Sequence, residues 1–145
     1  MKRYAHVLVA VDLGDRTKEI VCHAKAIADR FGSRMDLLYC FPTPSFPDTT
    51  GLLNPFSPEV LEDARDACER QLQGLLSAEE CRQYHAKAIV LPSDPLDAIT
   101  DYAKREGIDL IVMGTHGRTG LTHMFLGSVA ERVVRTAPCP VLTVH

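Results

Sequence analysis

Apolar residues along this chain fall into two kinds of run, and the two kinds alternate. His6 to Val11, HVLVAV, is β-branched and leucine-rich, and it ends at Asp12. Such continuity predicts a central parallel strand covered on both faces. After the turn Asp12 to Asp15, the residues Ile20, Val21, Ala24, Ile27, Ala28 and Phe31 recur at helical spacing until Gly32, the expected C-terminal cap. Met35 to Cys40, MDLLYC, reads as a second strand. Between Phe41 and Phe56 lie four of the nine prolines, and neither periodicity survives, which predicts a long loop. Ser57-Pro58-Glu59 then opens a helix with Val60, Leu61, Ala64, Cys68, Leu72 and Leu75 on one face. Its charged face, from Glu62 to Arg70, reads as solvated.

The alternation continues to the end. His85 to Leu91 is a third strand, and Pro92-Ser93-Asp94-Pro95 starts a helix that buries Leu96, Ile99 and Ala103 and stops at Gly107. Asp109 to Met113 is a fourth strand, Ser128 to Thr136 a fourth helix halted by Pro138, and Val141 to Val144 a fifth strand. Pro140 has no ladder hydrogen bond to donate, which suits a strand end or a sheet edge. Five strands and four helices in alternation predict an α/β fold: an open, doubly wound, five-stranded parallel sheet of Rossmann-like type. Ligands bind such sheets beyond the carboxyl ends of the strands, where strand order reverses. Asp12, Cys40 and Gly114 lie at those ends, and they meet in one crevice if the first and fourth strands are neighbours across the reversal.

The stretch IVMGTHGRTGLTHMFLGSVA, Ile111 to Ala130, carries the candidate chemistry. A strand stops at Gly114, glycines recur at 117, 120 and 127, and Ser128 with Glu131 three residues on predicts a capping box at a helix start. Glycines let backbone N–H groups approach an anion, and a helix N-terminus favours negative charge at the same place. A phosphate is the expected guest.

Composition narrows the field. The 145 residues, 46% of them hydrophobic, suffice for one well-packed domain over residues 1–145. A net charge of -3, with 16 scattered Lys and Arg, argues against nucleic acid as a partner. No apolar run is long enough to span a membrane and no cleavage pattern follows the basic start, so the expected location is cytoplasmic. Five cysteines without CxxC spacing argue against both a disulfide framework and a zinc site. His116 and His123 lack a spacing that presents both on one helix face, so no metal site is expected.

Gly114-x-x-Gly117, nine residues, then Gly127-Ser128 is similar to the nucleotide-binding signature G-2x-G-9x-G-[S/T] of the universal stress protein family. The resemblance extends over HVLVAVD, LLYC, DLIVMGTHGRTG and LGSVAERVVRTAPCPVLTV, nearly the whole chain. It implies strand order 3-2-1-4-5, an adenine nucleotide alpha hydrolase-like fold, a cytoplasmic homodimer and bound ATP, with Mg2+ arriving on the phosphates. By position, it implies that Asp12 approaches the ribose or adenine and that Cys40 and Met113 border the base. Gly114, His116, Gly117, Gly127, Ser128, Val129 and Ala130 would cradle ribose and phosphates. The family often has valine where Cys40 stands, so a contact there would run through the backbone. Ala130 lacks the hydroxyl that related sequences can carry.

The residues themselves leave some roles open. Asp12 is either a ligand contact or a turn former; His116 is either a ribose contact or a solvated loop residue. Arg118 either donates to a phosphate or sits in water. Ser128 caps a helix on either reading. No lysine follows the glycines as in a Walker loop, and no catalytic triad can be assembled from spacing, so the expected behaviour is nucleotide binding with slow or negligible hydrolysis. Three functions follow: an ATP-binding regulatory protein of stress physiology acting on a protein partner, a slow ATPase or nucleotidyl-transferring enzyme, or a dimeric interaction module independent of nucleotide. The fifth strand is the natural edge for pairing between chains.

Overall fold

In a computed structural model, residues 4–41, 58–116 and 126–145 are described. The expected loop 42–56, Ser57, Gly117, Arg118, Gly120 and His123 lie outside them.

Five parallel strands, β1 (His6–Val11), β2 (Arg34–Cys40), β3 (Lys87–Leu91), β4 (Leu110–Gly114) and β5 (Val141–Val144), form one sheet of order β3-β2-β1-β4-β5. The register aligns Ala10 with Leu38 and with Met113, so β1 lies between β2 and β4 as the strand-order reversal requires. Helices cover both faces. On one side, α1 (Thr17–Phe31) and α2 (Pro58–Gln73) pack over Val7, Val9, Val11, Leu37 and Val112. On the other, α4 (Pro95–Glu106) and α5 (Ser128–Thr136) cover Leu8, Ala10, Leu38, Ile111 and Met113. Alternate strand residues thus feed two cores, which is why the strand sequences are apolar without interruption.

Gly32 and Gly107 end α1 and α4 at φ +66° and +64°, a conformation that glycine adopts without a Cβ penalty. β3 begins at Lys87 rather than at the expected His85, because His85 has φ +45° and cannot extend a strand. The described residues also contain five helices, where four were expected. The extra one, α3 (Ala78–Gln83), starts at a capping box: the Ser77 hydroxyl accepts from the Glu80 N–H at 3.2 Å, and the Glu80 carboxylate accepts from the Ser77 N–H at 2.8 Å. Leu72 is the one expected core residue of α2 that is fully buried; Val60 is 48% exposed and Leu75 follows the helix. The carboxyl half of α2 reaches the core, through Leu72 and the half-buried Cys68.

The amino ends of the strands are closed by polar side chains. Asp36, 2% exposed, accepts from His6 Nε2 at 2.8 Å and from the Tyr102 hydroxyl at 2.9 Å. Arg34 lies 2.8 Å from His6 Nδ1 and can only donate, so the imidazole carries its proton on Nε2 and is used at both nitrogens. Burial, the bond to Asp36 and its charge push the Tyr102 phenol far above its ordinary range. Asp109 accepts the N–H groups of Ala5 and His6 at 3.1 and 3.0 Å and joins the start of β1 to β4. Among the described residues, no helix is long and apolar enough to cross a membrane.

Candidate functional site

The carboxyl ends of β1, β2 and β4 bring the expected site residues to one edge of the sheet. Asp12 follows β1 and forms an Asx turn, its Oδ1 accepting the Gly14 N–H at 2.8 Å. The turn former and the site candidate are therefore the same residue. Between them Leu13 is left-handed at φ +58°, a strained setting for a leucine and one that clusters at functional positions. Just beyond, the Thr17 hydroxyl is buried without a hydrogen-bond partner among the described residues. Ser93, beyond the end of β3, is the second such hydroxyl.

Cys40, the last residue of β2, and Met113, next to the last of β4, lie on the α4/α5 face and are 8% and 5% exposed, in one core with Ala130. Burial, reinforced by the Asp94 charge, raises the Cys40 thiol to about 11. A protonated, packed thiol serves as an apolar wall and not as a nucleophile. Gly114 is glycine for packing: a Cβ there would stand 3.1 Å from the Ile20 side chain, and its φ is not positive.

At the start of α5 the structure corrects the sequence reading. The first helical carbonyl belongs to Gly127, which accepts the Glu131 N–H at 2.8 Å, so Gly127 is the N-cap and Ser128 is already inside the helix. No side chain caps this end. Glu131 lies one position too far along to close a box and instead pairs with Arg135 at 2.7 Å. Gly127 is extended, at φ -69° and ψ 159°, and its N–H is spent on the Thr115 carbonyl at 2.6 Å. The donors that remain are the N–H groups of Ser128, Val129 and Ala130, which have no acceptor within the helix.

The pattern of caps is informative. Asp94 caps α4 through the Leu96 N–H at 2.8 Å and Ser77 caps α3, whereas α1 and α5 have no side-chain cap. Those two helices follow the two strands that flank the reversal point. Their first turns present donors and positive dipole ends to the same crevice edge.

Sequence reasoning missed Thr115 and His145. Thr115 is 8% exposed, and its hydroxyl lies 3.0 Å from His116 Nδ1 and 3.3 Å from His145 Nδ1. Thr115 stands inside the quoted motif and was open to inspection; nothing local marks His145, which reaches it from the end of β5. Gly117 and Arg118 fall outside the described residues. Among the described residues no group of three or more His, Cys, Asp or Glu is placed to hold a metal ion.

The family model for the universal stress protein family matches residues 3–145. A universal stress protein of Thermus aquaticus is 34% identical over 141 residues, covering 96% of this chain and 97% of the relative. Among solved structures, universal stress protein UspA from Lactobacillus plantarum superposes with a TM-score of 0.78 at 28% identity, covering 100% of both chains. A universal stress protein in complex with cAMP shares the fold at TM-score 0.72 and 24% identity, covering 99% of each chain. The uninterrupted strands, the 3-2-1-4-5 sheet and these likenesses agree, and the chain belongs to the universal stress protein family.

Proposed function

We propose that this protein binds an adenine nucleotide, ATP in the first place, at the carboxyl ends of β1 and β4 and acts as a nucleotide-dependent regulator in stress physiology. The observation that carries the reading is the pair of helices without side-chain caps, α1 and α5, facing the reversal point while α3 and α4 are capped. The N–H groups of Ser128, Val129 and Ala130, with the motif glycines Gly114, Gly117 and Gly127, form the phosphate end. Asp12 and His116 take the ribose side, and Cys40 and Met113 back the base from the core. By its place in the motif, Arg118 is the candidate cation for the phosphates. Magnesium would come with the phosphates. The cAMP complex of a protein with this fold supports an adenine nucleotide as the guest class.

The set lacks a Walker lysine and an oriented base, so binding with slow or negligible turnover is the expected behaviour. The chain acts as a single cytoplasmic domain. Pairing of two copies along β5, an edge strand whose Leu142 is 37% exposed, would complete a homodimer. A strictly monomeric mass in solution would remove that part. Equilibrium dialysis of purified protein against ATP, ADP, cAMP and GTP tests the site: adenine nucleotides are retained at micromolar to millimolar concentration, and failure to retain any of them by folded protein overturns the reading. Retention accompanied by steady phosphate release would favour the slow ATPase instead.

A further inference from the structure

We propose that Thr115 is a positioning residue that joins the candidate site to the β5 edge, by holding His116 and His145 through their Nδ1 atoms on one hydroxyl, so that the two nitrogens are not both bare. Four bonds meet at this one residue. Its N–H donates to the Val144 carbonyl at 2.9 Å, its carbonyl accepts the Gly127 N–H at 2.6 Å, and its hydroxyl serves both imidazoles at 3.0 and 3.3 Å. The two rings lie 6.0 Å apart and are tilted by 59°. Thr115 thus touches β5, the N-cap of α5 and two titratable rings at once.

The constraint follows from the chemistry of a hydroxyl. It has a single proton and two acceptor lone pairs, so it can donate to at most one Nδ1, and at least one of the two rings must carry its own Nδ1 proton for both bonds to form. A new hydrogen bond from His116 to a ligand that changes its Nδ1 state therefore changes what the Thr115 hydroxyl can offer His145. His145 follows β5, one of the two edge strands of the sheet. Occupation of the site would be felt where a second chain would pair. This last step rests on the nucleotide reading above; the bridge itself does not.

Imidazole nitrogen spectra of the intact chain separate the two claims. Without nucleotide, wild type should show at least one of the two rings protonated at Nδ1. Thr115→Ser should keep that pattern, and Thr115→Val, which preserves the shape, should lose it. Two wild-type rings both bare at Nδ1, or a pattern unchanged in the valine variant, overturns the bridge. With ATP added, the His145 signals should move in wild type and in Thr115→Ser but not in Thr115→Val. Calorimetric ATP binding with His145 unmoved in wild type overturns the transmission. Absence of ATP heat from wild type removes the nucleotide reading and the transmission with it, while the bridge still stands or falls on the spectra taken without ATP.

Discussion

The two ends of the sheet are built to opposite rules. At the amino ends His6, Ser33, Asp36 and Tyr102 are buried and each is hydrogen-bonded, and Asp109 ties β1 to β4. At the carboxyl ends two buried hydroxyls lack partners among the described residues, a leucine is left-handed, and two helices begin without side-chain caps. Buried polar groups without partners cost stability, about 1–3 kcal/mol each, so their accumulation on one edge marks a place shaped by something other than stability. The closed end holds the fold; the open end is where a ligand gains most from binding.

The largest effect that would break the comparison lies at the closed end. Asp36→Ala strands the His6 Nε2 proton and the Tyr102 hydroxyl, and should cost about 3–5 kcal/mol in urea unfolding. Against a typical total of about 5–15 kcal/mol, that approaches loss of the fold. The folded fraction should still bind ATP as wild type does. A loss below about 1 kcal/mol would show that the network is incidental.

Next comes a change whose two effects have opposite signs. Ser128→Asp puts a negative charge into the first turn of α5, which stabilises a helix N-terminus by about 0.3–1 kcal/mol. The same charge repels a phosphate and should weaken ATP binding about tenfold or more, equivalent to about 1.4 kcal/mol. A variant that is both more stable and weaker in binding separates the two roles of that turn. Parallel losses would mean that α5 is merely damaged.

Smaller effects sharpen the picture at Asp12 and Cys40. Asp12→Asn keeps an acceptor for the Gly14 N–H, so stability should change by less than about 0.5 kcal/mol while ATP affinity falls. Unaltered affinity would reduce Asp12 to a turn former. The Cys40 thiol is held at about 11, above its ordinary 9.0, so folding favours the protonated form. Its contribution is present below pH 9 and is lost as pH rises through about 11. Wild type should therefore lose stability across that window more steeply than Cys40→Val, in paired urea titrations. Exposed Cys22 should meanwhile alkylate at pH 8 while Cys40 does not.

Much of the architecture could be read in advance because its signals are local. HVLVAV and VLTV gave β1 and β5 to the residue, and Gly32 and Gly107 mark stops that only a left-handed residue makes. The Ser77–Glu80 box is equally local, whereas the same pattern at Ser128 and Glu131 predicts a cap that the helix does not use. A one-residue shift in where α5 begins decides that, and tertiary contact sets the shift: the Gly127 N–H is drawn to Thr115. The His6–Asp36–Tyr102 network and the Thr115 bridge join residues 30 to 66 positions apart in the chain, a range that periodicity does not report. Asp12, Gly114 and Gly127 were singled out for a ligand, and each also has a structural task at the same edge: a turn, a close helix contact and a helix start.

The most direct test of the open end is calorimetric titration of ATP into the wild-type chain and into Ser128→Asp under one buffer. Saturable heat in the wild type, weakened about tenfold or more in a variant at least as stable, is the predicted result. No heat from folded wild type at millimolar ATP, or equal affinity in the two proteins, would contradict a phosphate seat at the first turn of α5.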